Sequence, residues 1–100
     1  MMADFTKAGN DRGDLEKEVN HILISTKITH HSYLVNIQDL TKEELEFDLR
    51  EYQRQLATQI LPLVKKAEGS KSPRIVDMAY EIKQLIEDLI SKIEERIRQS

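Results

Sequence analysis

The amino-acid sequence predicts an all-α protein, an antiparallel three-helix bundle of up-down-up topology. Its 100 residues suit a single domain with an ordinary core, and they include only three glycines, two prolines and 5% aromatic residues. Two sets of helix-boundary residues separate three segments, each with an apolar stripe of helical period. We therefore predict helices at about 14–38, 42–66 and 73–98, in a bundle that could enlarge by dimerising.

The first 13 residues lack such a pattern. They include the run Ala8-Gly9-Asn10-Asp11-Arg12-Gly13, which is rich in helix breakers. We predict a disordered N-terminal lead at 1–13 and one helical domain at 14–100. No run of residues has the length and apolar character of a signal peptide core or a membrane span, so we expect a cytoplasmic protein without a membrane partner.

The segment 14–38 supports two interpretations. One helical face would collect most of its apolar side chains, which are Leu15, Val19, Ile22, Leu23, Tyr33, Leu34 and Ile37. Its β-branched residues also alternate, so a hairpin of 21–28 with 33–37 is the alternative. We favour the helix, because an isolated two-stranded hairpin is marginally stable.

The second helix has a clear start. Thr41 and Glu44 have the spacing of a capping box, and Leu40 and Leu45 flank them as a hydrophobic staple. Pro62 lies late in this helix, where it removes one backbone hydrogen bond. It predicts either a kink or an early end followed by an irregular turn.

The third helix is the most regular. Gly69 suits the end of the preceding helix, and Ser72-Pro73 suits the N-cap and first turn of the next. A stripe about 140° wide follows, too broad for one partner helix to cover. Its members are Ile75, Met78, Ala79, Ile82, Leu85, Ile86, Leu89, Ile90, Ile93 and Ile97.

The first helix would also carry a second apolar strip. Ile24, Ile28 and Val35 project roughly opposite its main face, with His21 and His31 at the margins of the strip. Contiguous exposed apolar residues usually mark an interface. We therefore predict a non-enzymatic protein–protein interaction module, such as an adaptor, regulator or complex subunit, that binds through Ile24, Ile28, His31 and Val35. A homodimer is the first expected partner and another helical subunit the second. The alternative is a central helix that its own domain covers on both sides.

A basic turn at 65–74 offers a second candidate function. Lys65, Lys66, Lys71 and Arg74 surround the boundary between the second and third helices, where a phosphate, nucleic acid or acidic partner could bind. The net charge of −3 and the absence of interleaved aromatic residues argue against nucleic acid.

A small metal-dependent helical enzyme is a third candidate. Glu18 and His21 have the spacing of two metal ligands on one helix face, but no second such pair exists in the chain. His30 and His31 are adjacent and would point about 100° apart on a helix. The chain also has no cysteine. We therefore expect no catalytic residue, no metal site and no cofactor.

Overall fold

A computed structural model describes the backbone of residues 2–99 and the side chains of residues 13–99. It contains the helices α1 (Met2–Asn36), α2 (Lys42–Gln55), α3 (Leu61–Gly69) and α4 (Pro73–Gln99). A 3-10 turn, Ile37–Asp39, follows α1, and a π-helical segment, Leu56–Ile60, joins α2 to α3. The described residues contain no strand. The all-α prediction is confirmed, and the hairpin of 21–28 with 33–37 is wrong.

Helix α1 differs from its predicted bounds at both ends. Its backbone is helical from Met2, well before the expected start at 14, and it gives way to the 3-10 turn at Ile37. The division into a disordered lead at 1–13 and a domain at 14–100 stays a prediction, because the structure describes no side chain before Gly13.

Helix α2 begins at the capping box that the sequence predicts. The backbone N–H of Glu44 donates to Thr41 Oγ1 over 3.1 Å, and the backbone N–H of Thr41 donates to Glu44 Oε1 over 2.8 Å. Two N–H groups that a helix start leaves without intrahelical acceptors are thereby satisfied.

Pro62 neither ends the second helix nor leaves an irregular turn. The π-helical segment precedes it, and the N–H of Leu61 donates to the carbonyl oxygen of Leu56, five residues back. Because Pro62 has no N–H, the chain loses a regular hydrogen bond at this point in any case. The helix then continues to Gly69, beyond the predicted end at 66.

In the turn before α4, the residue with left-handed backbone geometry is Lys71, which has a φ of 58°. Gly69, which the sequence suggests for the end of the preceding helix, does not have a positive φ. Ser70 continues the helical geometry of α3, and its N–H donates to Ala67. Ser72 then caps α4, with its Oγ 3.4 Å from the backbone nitrogen of Ile75. Helix α4 itself agrees with the predicted helix at 73–98.

Helix α4 lies at the centre of the bundle, between α1 and the arm formed by residues 42–69. Three contacts join α1 and the 3-10 turn to α4 with the same sequence separation of 58 residues, which makes α1 and α4 parallel: Glu16 with Arg74, His30 with Asp88 and Gln38 with Arg96. The arm runs antiparallel to α1, since Tyr33 contacts Asp48 whereas Glu18 contacts Lys66. The up-down-up topology is confirmed.

The core follows the apolar stripe of α4. Two clusters of buried side chains form the core. The larger one includes Ile75, Ile82 and Leu89 of α4 with Val19 of α1, and the smaller one includes Ile93 of α4 with Leu45 of α2. The smaller cluster joins Ile37, Leu45 and Ile93 beside the turn between α1 and α2.

Replacing Leu89 with alanine is expected to lower the free energy of unfolding by about 2–5 kcal/mol, because it opens a cavity where three helices meet. Urea unfolding followed by circular dichroism measures the loss. Leu61→Ala is the matched control: that side chain is 42% exposed, and its truncation is expected to cost about 1–1.5 kcal/mol. Equal losses in the two variants would contradict this description of the core.

Candidate functional site

The apolar strip that the sequence places on the first helix is uncovered in the structure. Ile24, Ile28 and Val35 are 51%, 62% and 64% exposed. The opposite face of α1 packs against α4 through buried residues that include Val19 and Leu23. The domain's own helices therefore do not cover the strip, and the alternative of a central helix buried on both sides is wrong.

The strip has the spacing of a coiled-coil seam once both histidines are included. His21, Ile24, Ile28, His31 and Val35 follow one another at steps of 3, 4, 3 and 4 residues. Such steps place side chains along the line where one helix meets another. His21 and His31 are both exposed. We call these five residues the α1 seam.

The helix around the α1 seam is almost without charge. Of the 20 residues 19–38, only Lys27 is an Asp, Glu, Lys or Arg, whereas such residues make up 33% of the whole chain. Lys27 is itself bound to Glu81 of α4, with Nζ 3.4 Å from the carboxylate oxygen. A helix face that only water contacts is normally rich in charge, so this composition favours a surface that another protein covers.

A groove of about 560 Å³ runs along a second side of α1, between that helix and the arm. Both elements rest on α4, which contributes Ile86 to the lining, but they diverge above it. Apolar side chains of the lining include Ile22, Ile60 and Leu63. Hydroxyl and amide groups of Ser25, Thr26, Thr29, Gln55 and Gln59 form much of the remaining lining, and Glu18, His21 and Tyr52 complete it.

Tyr33 links α1 to α2 beyond this groove. Its hydroxyl donates a hydrogen bond of 2.7 Å to Asp48 Oδ2, and its ring stands edge-on to that of Tyr52 with centroids 5.8 Å apart. Burial, followed by the hydrogen bond to Asp48, raises the pKa of Tyr33 well above its usual range. Tyr33 therefore stays a neutral donor that fixes the spacing of the two helices.

The three histidines do not converge. His30 Nε2 lies 2.7 Å from Asp88 Oδ2 on α4, while His21 and His31 belong to the α1 seam. Glu18, the predicted partner of His21 in a metal site, instead lies 3.8 Å from Lys66 Nζ. Among the side chains of residues 13–99, no group of three or more His, Asp or Glu is placed to hold a metal ion.

The cations of the basic turn lie at one end of the bundle, and two of them form ion pairs with carboxylates of α1. Arg74 Nε binds Glu16 Oε2 at 2.7 Å, and Lys66 binds Glu18. Lys65 and Lys71 are exposed. Two carboxylates of α1 thus already occupy the positions that an anion would take.

Residues that sequence reasoning missed are mainly those that fix α1 on α4. Asp88 binds both His30 and Lys92, the latter at 2.9 Å. No sequence signal marks Asp88, since its contact with His30 spans 58 residues. The charge-poor stretch 19–38, by contrast, is visible in the sequence.

Models of known protein families, curated proteins and solved structures contain no match to this chain. Within residues 2–99, no helix has the length and apolar character that crossing a membrane requires.

Asp88→Asn is expected to weaken the fold in a pH-dependent way. Hydrogen bonds from Lys92 and then His30 hold the pKa of Asp88 below its ordinary value of 3.8. A lowered pKa in the folded state means that this contribution is present above about pH 4 and disappears as the pH falls through the folded value. The carboxylate is 40% exposed, so solvent screening limits the loss at pH 7 to about 0.5–1 kcal/mol.

Urea unfolding at a series of pH values from 7 to 2.5 measures this difference between wild type and Asp88→Asn. Glu87→Gln is the matched control, because Glu87 binds Lys83 of the same helix, at 3.1 Å, and joins no second helix through the ion pairs of residues 13–99. If the difference in the free energy of unfolding between wild type and Asp88→Asn were as large at pH 2.5 as at pH 7, the charge of the Asp88 carboxylate would not be its cause.

Proposed function

We propose that this protein is a non-enzymatic helical interaction module whose binding surface is the α1 seam. The observation that carries the proposal is an exposed apolar line of coiled-coil spacing within a stretch that has a single charged residue. Single exposed aliphatic residues are common on soluble proteins, but several of them at coiled-coil spacing on a helix face poor in charge are typical of an interface.

The most suitable partner is a second copy of the chain. An uncharged face can meet its own copy without bringing like charges together, whereas a charged partner surface would lose water without gaining ion pairs. Closed two-fold dimers are also the commonest oligomers. Another helical subunit with an uncharged apolar stripe is the second candidate.

The exposed area supports a reversible dimer. Complete burial of one aliphatic side chain contributes about 1.5–3 kcal/mol, and the three in the seam still have half to two-thirds of their surface to bury. Six such side chains in a dimer would contribute about 5–10 kcal/mol, against a loss of association entropy that begins at about 4 kcal/mol. The favourable end of this range, about 6 kcal/mol, corresponds to a dissociation constant of tens of micromolar.

The two alternative functions have less support. Binding of phosphate, nucleic acid or an acidic partner at the basic turn would compete with the ion pairs of Lys66 and Arg74. A metal-dependent enzyme would need ligands that His21, His30 and His31 do not jointly supply among the described residues.

Ile28→Glu is expected to convert a dimer into a folded monomer, because it places a carboxylate in the middle of the seam. Sedimentation velocity at about 500 micromolar protein, well above a dissociation constant of tens of micromolar, measures the change. Phe47→Glu is the matched control: Phe47 is 57% exposed on α2, away from the seam, and its substitution is expected to leave the dimer intact.

Circular dichroism of both variants reports whether each is folded. A wild-type protein that is monomeric at this concentration, or a dimer that Ile28→Glu leaves unchanged, would contradict self-association through the α1 seam.

A further inference from the structure

We infer that the two α1 helices of the dimer are antiparallel, with the two-fold axis at the level of Thr26, so that His21 faces the partner's His31. This inference rests on the proposed function, because it specifies how the α1 seam meets a second copy. It follows from the spacing of the seam, from the charges at its ends and from the placement of its two histidines.

The spacing of the seam is the same in both directions. Extended at the same steps, the seam line includes Asp14 and Lys17 before His21, and after Val35 it reaches Gln38 in the 3-10 turn. The resulting series 14, 17, 21, 24, 28, 31, 35 and 38 is symmetric about residue 26. An antiparallel copy therefore places Ile24 opposite the partner's Ile28 twice, at the centre of the contact. Thr26 itself points inward, where its hydroxyl donates to the carbonyl oxygen of Ile22.

The ends of the seam distinguish the two orientations. A parallel pair in register would bring Lys17 against the partner's Lys17 and Asp14 against the partner's Asp14, and both contacts repel. In the antiparallel pair, the aliphatic part of Lys17 covers the partner's Val35, and Asp14 meets the partner's Gln38. Long basic side chains readily cover apolar surface in this way while their charge stays in water.

One charged pair lies close to the proposed axis. Lys27 of each copy would lie on the same side of the contact as the partner's Lys27. Each lysine brings its own carboxylate, Glu81 of α4, at 3.4 Å. Two Lys27–Glu81 ion pairs would therefore lie near the axis, and each lysine there keeps a carboxylate as its counter-charge.

The histidines make this contact sensitive to acid. On each side of the central isoleucines, His21 of one copy and the partner's His31 form a layer. When neutral, the two rings can pack and share a hydrogen bond, whereas protonation of both places two positive charges in one desolvated layer.

The surrounding groups do not offset that charge. Beside His21, Glu18 is bound to Lys66 of α3, and the groove lining from the arm contributes the uncharged Gln55 and Gln59. Around His31, Lys27 lies one helical turn away and is bound to Glu81 of α4. Asp88, which binds the neighbouring His30, is already shared with Lys92. Lys17, one helical turn before His21, adds a further positive charge on that side of the helix.

Disulfide cross-linking tests the orientation. Because the chain has no cysteine, Ile24→Cys and Ile28→Cys each introduce a single thiol. The two variants are mixed in equal amounts, one of them labelled with nitrogen-15, and are oxidised mildly after subunit exchange. Intact mass then identifies the three possible disulfide-linked dimers. The antiparallel pair predicts that the mixed disulfide predominates, well above the half that random pairing would give.

The outcomes separate this inference from the function on which it rests. Predominant disulfides between identical variants would overturn the antiparallel orientation and leave self-association through the seam in place. A mixed disulfide at or below the random share would also overturn it. A monomeric wild-type protein, established by sedimentation, would overturn both.

Sedimentation equilibrium at pH 7.5 and pH 5.5 tests the histidine layers. We expect the dissociation constant of the wild-type dimer to rise at least about tenfold at the lower pH, because histidine gains its charge in this range. The double variant His21→Gln and His31→Gln keeps polar side chains of similar reach and is expected to lose this dependence. His30 remains in the variant, so its contact with Asp88 is a constant background. The same pH dependence in the double variant, or tighter association at pH 5.5, would overturn the proposed facing of His21 and His31.

Discussion

The burial of the apolar stripe of α4 determines how the other helices are arranged. Ile75, Ile82, Leu89 and Ile93 are fully buried along this one helix, on a stripe too wide for a single partner. Two elements must therefore lie on it, and the chain supplies α1 on one side and the arm at 42–69 on the other. Because α1 and the arm both bury their apolar faces against α4 rather than against each other, a groove remains between them.

The polar contacts between α1 and α4 then fix the position along the helix axis. Aliphatic packing alone tolerates some sliding of one helix past another, whereas an ion pair or hydrogen bond has a definite partner. Glu16 with Arg74, His30 with Asp88 and Gln38 with Arg96 repeat the same offset over the length of the bundle. Each contributes little to stability where it is exposed, but together they select one alignment. The burial of Val19 and Leu23 on the opposite face, in turn, directs the α1 seam away from the core.

Much of the fold could be predicted from the sequence because its boundaries depend on local chemistry. The capping box at Thr41 and Glu44 acts within one helical turn, and so does the Ser72-Pro73 start of α4. The π-helical segment could not be predicted in the same way. Pro62 indicates a lost hydrogen bond, but whether the helix bends, ends or takes in an extra residue depends on how Ile60 and Leu63 reach α4.

In the candidate site, too, features that depend on local sequence could be predicted, and contacts between distant residues could not. The exposed strip of Ile24, Ile28 and Val35 could be read from helical periodicity, because it lies opposite a face that must be buried. The engagement of Lys66 and Arg74 by Glu18 and Glu16 could not, because these partners are far apart in the sequence and meet only after the helices pack. From the sequence the basic turn has no visible partners, whereas in the fold Lys66 and Arg74 each pair with a carboxylate of α1.

The adjacent histidines at 30 and 31 illustrate how one helix can serve the fold and an interface together. A helical step of about 100° separates their directions, so neighbouring residues of one type reach different surroundings. His30 turns toward α4 and binds Asp88, where it helps to set the alignment of the bundle. His31 turns outward to the α1 seam, where the domain offers it no partner among the described contacts. Because the first histidine holds the helix in a fixed rotation on α4, it also fixes the direction in which the second, with Ile28 and Val35, is presented to a partner.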